Sequence, residues 1–199
     1  MMKTGSMVEI LLVLLLGGFP LWEGQTRVFP DPALLARSAA VYDLRTNTFL
    51  YARDAERTHP LASLTKLMTA YVAAKGGDDE LPLQEMLVSS SNEIADSVAR
   101  AHGLEAFVRE MNREARALGL SRMFFLNPTG LDVDEQTAGA YGSARDVALL
   151  LSALYDRSPE LLSATRLSEF GGRKNTNPQV ASTTALLASK TGTTDLAGG

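Results

Sequence analysis

The alternation of apolar and polar positions predicts that the folded part of the chain begins with a hairpin and continues into a buried helix. Residues 38–43 and 48–53 are short apolar-rich runs on either side of Leu44-Arg45-Thr46-Asn47, a pattern that favours two antiparallel strands and a turn. Between residues 61 and 75, apolar side chains recur at helical spacing, and Gly76-Gly77 is a typical stop signal. We expect this helix to be buried on most sides.

The same patterns predict four more helices and one late strand. An amphipathic helix ends at Gly119, and Ser143-Ala144-Arg145-Asp146 fits the capping box that begins the fourth of these helices. No internal repeat is present. The predicted elements are helices at residues 82–88, 93–102, 104–118 and from 143 through 155, and a strand at residues 185–190.

The first 24 residues differ in character from the rest. Lys3 precedes an almost unbroken apolar run at residues 10–22, which is too short to cross a hydrocarbon core comfortably, and Glu9 blocks its extension. We therefore predict that residues 1–24 are an export signal. Because no pair of small residues marks a cleavage site, an uncleaved membrane anchor stays open, and a buried helix is the third alternative. Residues 25–37 carry two prolines and are predicted as a linker.

The composition excludes several classes of protein. With 199 residues, 45% of them hydrophobic and 21% charged, the chain suits one globular domain or a small two-lobed one. A net charge of −4 and the lack of any Lys/Arg run argue against nucleic-acid binding. The chain has no cysteine, which excludes disulfides, thiolate metal sites and cysteine nucleophiles. His59 is interpreted as an ordinary residue and His102 as a charge partner at a helix C-terminus, so we expect no metal and no cofactor.

Three short motifs carry residue types suited to nucleophilic catalysis. Ser63-Leu64-Thr65-Lys66 begins the buried helix, Ser90-Ser91-Asn92 lies at a turn into another helix, and Lys190-Thr191-Gly192 ends the late strand. A serine and a lysine three residues apart share one face of a helix. Neither histidine lies in a triad-like context, so Lys66 is the candidate base for Ser63. To act near neutral pH, its pKa must be lowered by burial and by a nearby positive charge, for which Lys190 is the candidate.

In this order the motifs resemble the S-x-x-K, S-x-N and K-T-G elements of penicillin-binding proteins and serine β-lactamases. Further segments are similar to the D-alanyl-D-alanine carboxypeptidase family. The resemblance covers the chain from about residue 39 onward and implies an α+β fold, with an antiparallel sheet flanked by helices and a helical lobe, for a catalytic domain at residues 38–199. The segments that carry it are Pro60 to Thr69, Phe125 to Leu131, Ser143 to Asp146, Asn175 to Asn177 and Lys190 to Asp195.

The resemblance assigns a role to each catalytic candidate. It implies that Ser63 attacks the carbonyl of a D-Ala-D-Ala peptide, that Lys66 takes the serine proton, and that Ser90 relays a proton to the leaving D-alanine. Ser89 and Ser91 stay open as alternatives to Ser90, although only Ser90 has the S-x-N spacing.

It also implies a set of substrate-binding residues. Asn92 would orient the substrate amide, and Lys190 would hold the terminal carboxylate together with the hydroxyls of Thr191 and Thr193. The backbone N–H groups of Ser63 and Thr193 would form the oxyanion hole. Gly192 would let the substrate approach the strand closely.

The function implied is that of a serine D,D-carboxypeptidase that trims peptidoglycan stem peptides outside the cytoplasmic membrane. Its partners would be stem peptides and β-lactams, with no nucleic acid and with membrane contact only through the N-terminal segment. A serine β-lactamase is disfavoured because no E-x-x-L-N segment lies between Asn92 and Lys190. D,D-endopeptidase activity uses the same residues, and a non-catalytic muropeptide-binding homologue is the alternative from another class.

Two features depart from the family pattern. The stretch between Lys66 and Ser90 is short, and the chain ends at Gly199, soon after the K-T-G motif. We therefore expect a domain that lacks its C-terminal strands and leaves an apolar edge. Asn127-Pro128-Thr129-Gly130 is predicted as a scaffold turn, and residues 175–177 as a structural loop near the site.

Overall fold

The computed structural model describes residues 33–183 and 185–198. The predicted export signal and the linker as far as residue 32 lie outside the described residues. The predicted hairpin is confirmed: strand β1 (Ala39–Asp43) pairs antiparallel with β2 (Thr48–Arg53), with a register shift between Val41 and Tyr42.

A buried helix, α1 (Thr65–Gly76), occupies the centre of the molecule. All of its side chains from Thr65 to Ala73 are buried, which confirms the prediction of a helix enclosed on most sides. Gly77 caps its C-terminus with a positive φ of 87°, which suits glycine. The other long helices contact α1, and its apolar side chains form the core with theirs; they are α2 (Glu80–Ser89), α3 (Asn92–Ala101), α4 (Leu104–Ala117) and α5 (Ala144–Arg157).

These helices agree with the predicted ones to within a few residues because their end signals work locally. Ser91 caps α3 by accepting a hydrogen bond from the Ile94 N–H, and Ser143 caps α5 by accepting one from the Asp146 N–H. A short helix, α6 (Pro159–Ser163), was not predicted. None of the helices in the described part of the chain is long and apolar enough to cross a membrane.

Several very short strands place the loops around α1. Strand β5 (Ala140–Gly142) pairs antiparallel with β3 (His59–Pro60) on one side and with β4 (Phe124–Phe125) on the other. A separate hairpin joins β6 (Glu169–Phe170) to β7 (Arg173–Lys174). The architecture is α+β, with small antiparallel sheets beside a helical body, as expected.

The predicted strand at residues 185–190 is wrong: the described residues of this segment belong to no sheet. A strand requires a hydrogen-bonded neighbour, and here the Ser189 N–H has a side-chain acceptor in place of a neighbouring strand. The Ser189 N–H donates to Thr165 Oγ1 at 2.9 Å, and Ser189 Oγ donates to the Thr165 carbonyl at 3.0 Å. Leu186, Ala188 and Ser189 are nevertheless buried, so the segment is firmly packed against the body.

Candidate active site

Ser63 lies on a sharp turn between β3 and α1. The Leu61 N–H donates to the Ala140 carbonyl of β5 at 3.0 Å, which fixes the start of the turn. Ala62 then adopts a φ of +46°, a conformation that side chains other than glycine rarely take. A short 3-10 turn at Ala62–Leu64 leads into the first residue of α1. Ser63 is half-buried, with its hydroxyl beside the side chain of Lys66.

Lys66 is completely buried in α1, and its ammonium contacts three oxygen atoms. Nζ lies 3.0 Å from Ser63 Oγ, 2.7 Å from Asn92 Oδ1 and 2.7 Å from the carbonyl oxygen of Thr129. Burial lowers the pKa of Lys66 to about 8, against an opposing effect from the carboxylate of Glu93. At neutral pH a useful minority of Lys66 is therefore unprotonated.

The types of these partners determine what a neutral Lys66 can do. A neutral amine has two N–H groups and one lone pair, whereas an amide oxygen and a backbone carbonyl can only accept hydrogen bonds. The two N–H groups therefore point to Asn92 Oδ1 and to the Thr129 carbonyl. The lone pair is left for the Ser63 hydroxyl, which is the geometry that a general base needs.

The turn at residues 127–130 is part of this site and not only a distant scaffold. Asn127 Oδ1 accepts hydrogen bonds from the N–H groups of Thr129 and Gly130, at 3.2 and 2.7 Å. The turn is tied to α1 by Thr69, whose hydroxyl donates to the Pro128 carbonyl at 2.6 Å. The sequence predicted the turn but missed the contact with Lys66, because a backbone carbonyl leaves no residue-type signal.

We expect Gly130→Ala to destabilise the protein strongly. Gly130 has a φ of 80°, and a Cβ at this position would overlap the carbonyl oxygen of Ala62. Left-handed backbone costs a non-glycine residue about 1–2 kcal/mol, and overpacking adds about 1–3 kcal/mol. Gly119→Ala is the matched control, since Gly119 has a φ of 70° but nothing within 4 Å of its Cβ position. Equal losses in the free energy of unfolding, measured by urea denaturation, would contradict this packing.

Of the three adjacent serines, Ser90 is the one that contacts a lysine of the site. Ser89 Oγ donates to the Glu85 carbonyl within α2 at 2.7 Å, and Ser91 caps α3. Ser90 sits between the two helices with a positive φ of 57°, and its hydroxyl accepts a hydrogen bond from Lys190 Nζ at 2.8 Å. Ser90 thus has a hydrogen bond to Lys190, whereas the hydroxyls of Ser89 and Ser91 bond within α2 and at the start of α3.

Lys190 is the second amine of the site. Nζ also donates to the Thr191 carbonyl at 2.7 Å. Burial lowers the pKa of Lys190 to about 7, and the positive charge of Lys66 contributes to the shift. The sequence led us to expect that burial and the charge of Lys190 would together lower the pKa of Lys66; burial does so, whereas the charge effect between the lysines acts on the pKa of Lys190.

The residues after Lys190 are held against the Ser63 turn. A Cβ on Gly192 would lie 3.1 Å from both the Leu61 carbonyl oxygen and the Ser63 nitrogen, so glycine allows close packing of these two backbones. Thr191 Oγ1 lies 2.6 Å from Thr176 Oγ1. Thr193 follows Gly192 and is exposed. The structure therefore brings this motif to the same side of α1 as Ser63.

The loop at residues 175–177 contacts Thr191 through Thr176 and is itself fixed by hydrogen bonds. Asn175 Nδ2 donates to the carbonyls of Thr165 and Leu167, both at 2.8 Å, and the Thr176 N–H donates to the Val88 carbonyl at 3.1 Å. The sequence predicted this loop near the site but not the contact between Thr176 and Thr191, since a threonine between two asparagines is not distinctive.

The two histidines take no part in these contacts. His59 Nε2 lies 2.8 Å from Ser38 Oγ, and His102 Nε2 lies 2.8 Å from Asp78 Oδ2. Within residues 33–183 and 185–198, no group of three or more His, Asp or Glu side chains could hold a metal ion.

Comparison with known proteins shows extensive similarity. The family model of peptidase S11, D-alanyl-D-alanine carboxypeptidase, matches residues 25–82 and 79–199. The chain is 31% identical to a D-alanyl-D-alanine endopeptidase of Escherichia coli (62% of this chain, 48% of the relative) and 31% identical to one of Pseudomonas aeruginosa (83% and 65%). The chain thus spans about half to two thirds of the length of these curated relatives.

A solved structure shares the fold. Penicillin-binding protein D2 from Listeria monocytogenes, in its ampicillin-bound form, superposes with a TM-score of 0.76 at 28% identity, covering 84% of this chain and 83% of that one. The match of the family model over most of the sequence agrees with this superposition. The chain belongs to the D-alanyl-D-alanine carboxypeptidase family.

Proposed function

We propose that this protein is a serine D,D-carboxypeptidase that removes the terminal D-alanine of peptidoglycan stem peptides through an acyl-enzyme. The observation that carries the proposal is the environment of Lys66, a buried amine 3.0 Å from the Ser63 hydroxyl whose other two neighbours only accept hydrogen bonds. Relatives named D-alanyl-D-alanine carboxypeptidase, among them one from Bacillus subtilis at 28% identity, support it.

In the acylation step, Ser63 Oγ attacks the carbonyl carbon of the penultimate D-alanine while Lys66 Nζ takes the hydroxyl proton. The oxyanion of the tetrahedral intermediate is held by the N–H groups of Ser63 and Thr193. The C–N bond then breaks, and the proton that Lys66 took passes through the Ser90 hydroxyl, which is hydrogen-bonded to Lys190, to the leaving amine of D-alanine, so that Lys66 is neutral again. Water subsequently hydrolyses the ester on Ser63 and releases the shortened peptide.

The remaining residues orient the substrate. Lys190 and the hydroxyls of Thr191 and Thr193 bind the terminal carboxylate, which is a charge-assisted contact. Asn92 Oδ1 is already occupied by Lys66, so the Nδ2 group of Asn92 is the part that donates to a substrate carbonyl. Gly192 keeps this binding segment close to the Ser63 backbone.

D,D-endopeptidase activity is the second candidate. It is favoured by the two relatives at 31% identity, which both carry that name. The bond cleaved also has a D-alanine carbonyl on its acyl side, so the same groups serve both reactions. The difference lies in whether the leaving group is free D-alanine or the side-chain amine of a second stem peptide.

A fluorescent penicillin and two peptide substrates test these functions together. We expect covalent labelling of the chain and release of D-alanine from a stem pentapeptide. Cleavage of a cross-linked muropeptide dimer without D-alanine release would favour the endopeptidase. Rapid turnover of the penicillin would indicate a β-lactamase, and muropeptide binding without labelling or cleavage would indicate a non-catalytic homologue.

We expect the second-order acylation rate to have a bell-shaped pH dependence. The reactive form needs Lys66 neutral (pKa about 8) and Lys190 protonated (pKa about 7), so the rate peaks midway, at about pH 7.5. It rises with pH as Lys66 loses its proton and falls as Lys190 loses its own. Lys190→Arg should remove the alkaline decline, because guanidinium keeps its charge. A rate for the unmodified protein that climbs steadily from about pH 6 to about pH 9 would contradict this assignment.

We further propose that the protein is exported and works on the outer side of the cytoplasmic membrane, where peptidoglycan lies. The apolar run at residues 10–22 supports this location. A fusion of residues 1–37 to a reporter enzyme that is active only outside the cytoplasm should be active, and deletion of residues 10–22 should silence it. Equal reporter activity after the deletion would refute export through this segment.

A further inference from the structure

Asp132 joins the loop after the 127–130 turn to the segment that follows Gly192. Its Oδ1 accepts a hydrogen bond from Thr194 Oγ1 at 3.0 Å, and its Oδ2 accepts one from the Leu196 N–H at 3.1 Å. Thr194 in turn organises the segment, because its hydroxyl accepts from the Ala197 N–H and its carbonyl accepts from the Gly198 N–H. Both carboxylate oxygens are therefore used to hold residues 194–198.

This anchor matters because the described residues of the segment 185–193 have no sheet partner. Separate side-chain contacts fix it instead: Thr165 binds Ser189, and Thr176 contacts Thr191. Gly192 packs on the Ser63 turn. Thr193 therefore lies between two fixed points: Gly192 before it, which packs on the Ser63 turn, and Thr194 after it, which Asp132 holds.

The same loop also supports the base. Asp132 comes two residues after Gly130, in the loop whose Thr129 carbonyl accepts a hydrogen bond from Lys66. A single stretch of backbone thus contacts the amine that activates Ser63 and the residues behind Thr193. Displacement of one group relative to the other by about 1 Å can lower a rate about 100-fold.

We infer that Asp132 is a positioning residue for acylation: through Thr194 it fixes the backbone N–H of Thr193 relative to Ser63. The inference rests on the proposed function, in which that N–H stabilises the oxyanion. Asp132 itself contacts no substrate. Its removal lowers the rate of acyl transfer more than it weakens binding, because Lys190 and Thr191, which bind the carboxylate together with Thr193, have their own anchors.

The test compares variants of the two hydrogen-bonded partners with a control from the same loop. Stopped-flow fluorescence measures acylation by a fluorescent penicillin and separates the dissociation constant of the initial complex from the limiting acylation rate. For Asp132→Ala we expect a limiting acylation rate about 10- to 100-fold lower and a dissociation constant that changes by less than about twofold. Asp132→Asn keeps one acceptor oxygen and should lie between Ala and the unmodified protein. Glu135→Gln, an equal charge change at an exposed position, should behave as the unmodified protein does.

Substitutions at Thr194 cover the case in which Asp132→Ala fails to fold. Thr194→Val removes the hydroxyl at nearly constant shape and should reproduce the slower acylation, whereas Thr194→Ser retains the hydroxyl and should restore the rate. In the double variant D132N/T194V the two losses should not add, because both remove the same contact. Weaker binding of the penicillin at an unchanged limiting acylation rate, or an equal effect of Glu135→Gln, would overturn the inference.

Hydrogen exchange gives a readout that does not depend on activity. Peptides covering residues 190–198 should exchange faster in Asp132→Ala and Thr194→Val than in Glu135→Gln, since the Leu196 N–H loses its acceptor or its support. Unchanged exchange would overturn the anchor. If the unmodified protein is not acylated, the proposed function fails by itself, and the exchange result still decides whether Asp132 holds this segment.

Discussion

Ser63→Ala is expected to abolish covalent labelling by penicillin. The hydroxyl of Ser63 is the group that the lone pair of a neutral Lys66 faces, and the other two atoms in contact with Lys66 Nζ, Asn92 Oδ1 and the Thr129 carbonyl oxygen, are not hydroxyls that could replace it. Removal of a catalytic serine nucleophile lowers turnover by about 10⁶-fold in a comparable hydrolase, so both labelling and D-alanine release should fall below detection.

Mass spectrometry of the labelled protein provides the direct measurement. Proteolysis after penicillin treatment should yield the adduct on the peptide that contains Ser63. Ser97→Ala, a change of an exposed serine on α3, is the control and should leave labelling intact. An adduct on Ser90, or one that persists in Ser63→Ala, would show that a different serine is the nucleophile.

The Ser63→Ala variant should fold as the unmodified protein does, so that a loss of labelling can be interpreted. Ser63 is only half-buried, and Lys66 retains its hydrogen bonds to Asn92 and to the Thr129 carbonyl. We expect a melting temperature close to that of the unmodified protein and unchanged reversible binding of stem peptide. A loss of labelling would then report on the nucleophile alone.

The secondary structure that local signals encode could be read from the sequence. The hairpin of β1 and β2, the stop of α1 at Gly77 and the cap of α5 at Ser143 all depend on residues a few positions apart. The segment 185–190 could not be predicted in this way, since an apolar run becomes a strand only when a distant segment pairs with it. Here Thr165 satisfies the Ser189 backbone instead.

The candidate site divides in the same way. Ser63, Lys66 and Lys190 stand out because each lies in one of the motifs whose order along the chain carries the family resemblance. The Thr129 carbonyl could not be found, because any residue provides a carbonyl and this one lies 63 positions from Lys66. The S-x-N spacing favoured Ser90 but left Ser89 and Ser91 open, because the positive φ of Ser90 and the contact of its hydroxyl with Lys190 are visible only in the fold.

Replacement of the two lysines is expected to impair different steps: acylation for Lys66 and recognition of the substrate carboxylate for Lys190. Lys66→Ala should abolish acylation by every substrate, because no other group among the described residues is placed to accept the Ser63 proton. The loss should be comparable to that of Ser63→Ala, since nucleophile and base act as one unit. The variant also leaves Asn92 Oδ1 and the Thr129 carbonyl without their donor, which costs about 1–3 kcal/mol for each buried group. A melting curve must therefore accompany the rate.

Lys190→Ala should instead weaken recognition of the substrate carboxylate. A charge-assisted hydrogen bond contributes about 1.5–3 kcal/mol, which corresponds to about 10- to 150-fold in affinity. The decisive measurement uses a β-lactam and its methyl ester, which lacks the negative charge. The unmodified protein should prefer the free acid by that factor, and Lys190→Ala should discriminate little between the two while still forming the acyl-enzyme on Ser63. The Lys66→Ala variant should be acylated by neither compound. Similar residual acylation in both variants, or retained discrimination in Lys190→Ala, would contradict this division, because a base and a carboxylate clamp act on different atoms of the same substrate.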